Sequence, residues 1–187
     1  MPLSSPAERE HIHNRTVECN GYRRKDGLWD IEGRLVDVKT YTFHNNERGD
    51  IPPGEPVHEM LIRLTVDDDL KIHGVEATTE YSPFSICKQV APNFERLVGV
   101  SIGPGWRKRV RDRVGGVEGC THIVEMLGPV ATTAFQTIYP LKNKEQPEGE
   151  RASTRPPRLL NTCHAFRSDS PKVKEFWPDH YDGPAGD

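Results

Sequence analysis

VHEMLIRLTVDDDLKIHGVEATTEY, residues 57–81, is the stretch that decides the fold. Ile62, Leu64 and Val66 fall at every second position, with Arg63, Thr65 and Asp67 between them. That is the period of a strand with one buried and one wet face. Asp68-Asp69 supplies a turn, and residues 70–81 return as the partner strand. At Ser82 the period changes. SPFSICKQVAPNFERLVG (82–99) reads as a helix with Ser82 at the N-cap, Pro83 at the first helical position and Gly99 at the close. Its predicted apolar stripe is Ile86, Val90, Phe94 and Leu97, with a kink at Pro92.

Working outward, residues 15–24 and 28–43 read as a second hairpin turning at Lys25–Gly27. Gly33, inside the long strand, suggests a bulge. Residues 44–56 read as a polar loop. Downstream, residues 103–116 give a short basic helix between glycines. From Thr121 to Tyr139 an apolar series (Ile123, Met126, Leu127, Val130, Ala131, Ala134, Phe135, Ile138) follows helical spacing, with a bend expected at Gly128-Pro129. The predicted fold is α+β: an antiparallel sheet of about four strands followed by three helices on one face.

The folded domain is expected over residues 15–140, after a loose leader at 1–14. Residues 141–187 read as a polar, proline-rich tail with a docking segment at 159–166, LLNTCHAF. The net charge of −3 gives no reason to expect a nucleic acid or membrane partner. MPLSSPAEREHIHN at the start has no secretory character. The expectation is a cytoplasmic protein with reduced thiols, acting on a small molecule, with a homodimer left open.

GYRRKDGLWDIEGRLVDVK (21–39), HEMLIRLTVDDDL (58–70) and GCTHIVEML (119–127) resemble the signature segments of a bacterial family of unknown function, with likeness over about residues 10–170. A more distant resemblance, in architecture, is to NifU-like iron–sulfur scaffold proteins, on residues 58–99 and on Cys120 opening the last helix. It implies a NifU-like arrangement of strands and helices. Of the three cysteines that hold the cluster there, only Cys120 has a counterpart; Val57-His58 and Ser82-Pro83 stand at the other two places.

EGCTHIVEML (118–127) concentrates Cys120, His122 and Glu125 at a helix start. A helix N-terminus favours an ionised thiol. Within a helix, however, Cys120 and His122 would diverge by roughly 200°. They face one site only if Cys120 precedes the helix, which Gly119 permits. Thr121 as N-cap with Cys120 in the core is the competing reading. Asp30 and Glu32 share one face of their strand, where two carboxylates can divide into acid and base, or simply pair with Arg24, Arg34 or Lys39. The catalytic candidates are thus Asp30, Glu32, His58, Cys120, His122 and Glu125. Tyr22, Arg24, Trp106 and Arg107 are candidates for holding a substrate carboxylate or phosphate.

Metal donors are also present: His58, Cys87, Cys120, His122, Cys163 and His164. Zinc or iron would suit these donor types, although no paired-cysteine spacing marks a ligand set. Three functions remain open: a small lyase, decarboxylase or hydrolase acting on an organic acid or acyl compound; a metal or iron–sulfur scaffold or accessory protein; and a non-catalytic partner of an enzyme complex.

Overall fold

The computed structural model describes residues 3–145 and 159–183. The chain divides into two units, residues 1–142 and 143–187. The first unit is α+β. Its main sheet has four antiparallel strands in the order β1-β2-β5-β6: β1 His13–Arg23, β2 Trp29–Lys39, β5 Pro56–Val66 and β6 Ile72–Tyr81. Two short strands, β3 Phe43–Asn45 and β4 Gly49–Ile51, pair as a separate hairpin. Then come a 3₁₀ segment, Ser85–Leu97, and the helices α1, Trp106–Val114, and α2, Thr121–Glu145.

Both long hairpins form where the sequence places them, one from strand-type composition around a turn and one from alternation. Trp29, Ile31 and Leu35 of β2 and Met60, Ile62, Leu64 and Val66 of β5 are buried on one face. Phe94, Leu97, Val110 and Val114 join them in the core, as do Ile123, Met126, Leu127, Val130, Ala134 and Ile138 of α2. The opposite sheet face carries paired charges: Arg63 bonds Glu32 and Glu76, and Arg34 bonds Glu59. β1 is an edge strand, hydrogen-bonded within the sheet only to β2.

Four local expectations are corrected. Gly33 is not a bulge, because the β1–β2–β5 register runs through it unbroken and shifts only at Asp37/Val38. It is glycine because α2 passes so close that an added Cβ would lie 2.6 Å from Val130 Cγ2. Gly21 is under the same helix, with Thr137 Oγ1 2.0 Å from where its Cβ would be. The polar stretch 44–56 is not all loop. Asn45 accepts hydrogen bonds from the Glu47 and Arg48 amides, and Gly49 takes a φ of 72°, closing the β3–β4 turn.

The segment after Ser82 winds as 3₁₀, with Pro92 inside it. At three residues per turn the buried stripe becomes Ala91, Phe94 and Leu97, and Ile86 is left 65% exposed. Ser82 does not cap it; its hydroxyl donates to Phe84 O, and Glu47 receives the Ser85 amide instead. Finally, α2 continues past Tyr139 through Pro140 to Glu145.

In the second unit, His164–Phe166 and Pro178–His180 form 3₁₀ turns, and Pro171–Phe176 forms α3, capped by the Ser170 hydroxyl. Most of the proline-rich linker expected at 141–158 lies outside the described residues. Among the described residues no helix is long and apolar enough to cross a membrane.

A carboxylate and histidine cluster as candidate active site

Asp37 continues the buried alternation of β2 beyond Leu35 and is 1% exposed. Register sets its neighbours: Arg15 stands opposite on β1 and His58 opposite on β5. His58 shares the parity of Met60 and Ile62, so it too faces the helices. His13, two residues before Arg15, reaches the same carboxylate. The first turn of α2 brings His122 and, three residues on, Glu125.

Arg15 clamps Asp37 with two parallel hydrogen bonds, Nε to Oδ1 and Nη2 to Oδ2, both 2.8 Å. Its Nη1 donates to Glu125 Oε2 at 2.6 Å, tying β1 to α2. His13 Nε2 is 3.2 Å from Asp37 Oδ1, and His58 Nδ1 is 3.2 Å from Oδ2. A carboxylate offers about four acceptor positions, and these contacts use them. The His122 ring lies over the His58 ring, 4.0 Å between centroids at a 31° tilt, with its Nε2 3.7 Å from Asp37 Oδ2. On its other side His122 Nδ1 is 3.8 Å from Cys120 Sγ.

Cys120 stands one residue before α2, where its carbonyl accepts the Val124 amide at 2.9 Å. Gly119 makes that placement feasible: any Cβ there would meet the Val114 carbonyl oxygen at 2.1 Å. Cys120 and His122 therefore do not diverge around a helix as two helical residues would.

Charge and burial compete at each group. Burial works to raise the Asp37 pKa, but the hydrogen bonds and charge of Arg15, helped by His58 and His13, hold it below the ordinary carboxylate value. The same contact raises the pKa of Arg15. Burial, reinforced by His122, pushes His58 down to about 4, against the opposing pull of Asp37. His122 is lowered by burial and by the charge of Arg15. Both imidazoles are therefore neutral at pH 7. A carboxylate can only accept, so the His58 proton sits on Nδ1, leaving Nε2 as a free lone pair.

The cluster gathers His58, Cys120, His122 and Glu125 from among the sequence candidates. Asp30 and Glu32 are elsewhere, on the opposite sheet face. Asp30 is held by Thr65 Oγ1 at 2.7 Å and Arg24 Nη1 at 3.3 Å, and Glu32 by Arg63 Nε at 2.8 Å. Tyr22 stands opposite Asp30 on β1, half exposed. Trp106 is a core residue, 8% exposed, its indole N–H donating to Leu127 O. Arg107 is exposed on α1, and Cys87 is partly buried in the 3₁₀ segment. Cys163 and His164 belong to the second unit.

Asp37, Arg15 and His13 are absent from the sequence candidates. The alternation Trp29, Ile31, Gly33, Leu35 carries a legible signal: one more step puts Asp37 on the buried face.

Among the described residues, Asp37, His58 and His122 also offer three donor atoms within 4.8 Å of one another. The fold and cluster define the class: an α+β domain whose sheet end and last long helix enclose a clamped carboxylate with neutral imidazoles. The chain belongs to the family described as "Protein of unknown function (DUF2889)", which matches residues 13–136 and so contains the whole cluster. No curated protein matches the chain, and no solved structure does.

Proposed function

We propose that this protein is a small cytoplasmic enzyme acting by acid–base chemistry on an organic acid or acyl compound, as a lyase, decarboxylase or hydrolase. One observation carries the reading: Asp37, clamped by Arg15 and touched by His13, accepts from His58 Nδ1 at its remaining position and so fixes the His58 tautomer with the lone pair on Nε2. A neutral imidazole oriented by a buried carboxylate is a general base in waiting. The His58 side chain is 20% exposed, so that base borders solvent. His122, stacked on it, is a second neutral imidazole for returning the proton.

The test is proton NMR in D₂O on a panel of oxo acids, hydroxy acids and acyl esters. Turnover or deuterium wash-in is expected, falling about 10²-fold or more in His58→Ala and in Asp37→Asn. Activity that survives both changes in folded protein, or a panel with no reaction, would overturn the reading.

The alternative, a metal-binding or accessory role, is favoured by the convergence of Asp37, His58 and His122. A divalent ion there would have to displace Arg15 or His58 from Oδ2. Metal analysis of protein purified without oxygen separates the two: one zinc or iron per chain, lost in His122→Ala, would favour the metal.

A further inference from the structure

Deepening the acid–base reading, on which it rests, we infer that Cys120 is the nucleophile of this centre and that the substrate is an ester or thioester. Sγ lies 3.8 Å from His122 Nδ1, and His122 Nε2 lies 3.7 Å from Asp37 Oδ2. Asp37 Oδ2 already accepts from Arg15 and His58, so its contact with His122 Nε2 is electrostatic; a carboxylate there favours the proton on Nε2, which leaves the Nδ1 lone pair toward the thiol. Nucleophile, base and orienting carboxylate thus stand in sequence, each facing the next. Both distances are long for hydrogen bonds, as is common in such centres before substrate is bound. A buried cysteine serving only as core filler needs no base at its side and no arginine clamp behind that base.

The chemistry balances without a further reagent. As Sγ attacks the acyl carbon, the thiol proton passes to His122 Nδ1. The bond from that carbon to the alcohol or thiol leaving group breaks, and the leaving atom takes the proton from His122. Water, deprotonated by His58 Nε2, the base of the proposed function, then cleaves the Cys120 thioester. The acid departs and the thiol regains its proton.

The test uses the full chain and p-nitrophenyl acetate. Expected is a burst of one nitrophenolate per chain, with one acetyl group located on Cys120 by peptide mass spectrometry. Cys163 is the exposed thiol among the described residues, so accessibility alone would direct the acetyl there. Competition between the two thiols in the unaltered protein therefore reads activation without any variant. Cys120→Ser should abolish the burst and Cys163→Ser leave it. His122→Ala should slow acylation of Cys120 about 10²-fold. Acetyl on Cys163 ahead of Cys120, or a Cys120 rate unchanged by His122→Ala, overturns the inference. Turnover that persists in Cys120→Ser overturns the nucleophile and leaves the acid–base reading standing. Acylation of Cys120 with turnover undiminished in His58→Ala overturns the role of His58 and keeps the nucleophile.

Discussion

At the scale of single residues, the cluster makes stability depend on pH with a definite sign. His58 has an ordinary value of 6.5 that folding lowers to about 4, and His122 moves the same way. The unfolded chain therefore binds more protons in that interval. Stability is fully present above pH 6.5 and is lost as the pH falls from 6.5 toward 4. The full His58 shift would correspond to about 3 kcal/mol, and partial exposure and coupling to His122 reduce it to roughly 2 kcal/mol. Urea midpoints at about pH 7.5 and about pH 4.5 check this. His58→Gln should narrow the difference, and equal midpoints would contradict it. His58, Cys120, His122 and Glu125 were legible from residue type and position. Arg15 was not, because a lone arginine on a strand carries no mark of the strand that will pair with it. Its role exists only through the pairing that sets Arg15 opposite Asp37.

Among the elements, period-two alternation revealed β5, β-branched and aromatic content between turn signals revealed β1 and β2, and i, i+3, i+4 spacing revealed α2. The helical segment 85–97 was legible, with Phe94 and Leu97 on its buried side, but its 3₁₀ winding was not, because a period of three is blurred by a 3.6-residue template. The β3–β4 hairpin escaped because three-residue strands are too short to show alternation. Gly33 was visible but misread, since a glycine within a strand signals either a bulge or a close approach. Its actual role is a spacing requirement. Gly33→Ala would press a methyl against Val130 and Met126 and should destabilise by about 1–3 kcal/mol. Gly74→Ala, whose Cβ would sit 3.5 Å from Thr65, is the comparison and should be close to neutral. Denaturant titration of the two variants side by side distinguishes them.

For the whole molecule, the contiguous core runs from Trp29 to Ile138 and lies wholly inside the first unit. A chain ending at Lys142 should therefore unfold in urea as one cooperative transition and retain its near-ultraviolet circular dichroism. A gradual loss of signal would show that the core needs the remainder. The fold class could be read from the order of periods along the chain, strands first and helices after. The assembly of the centre could not, because its parts are up to 112 positions apart, from His13 to Glu125, and come together only when strand register and helix docking are both set.

β1 is bonded in the sheet on one side only, and it carries His13 and Arg15. Strands held this way are drawn from the low-stability end of a native structure, and their amides exchange with solvent deuterium by local opening. Each such opening takes the guanidinium away from Asp37 while Asp37 and His58 stay on the central strands. The charge balance of the centre thus follows the breathing of an edge, and amide exchange along residues 13–23 would clock how often the carboxylate stands without its counterion.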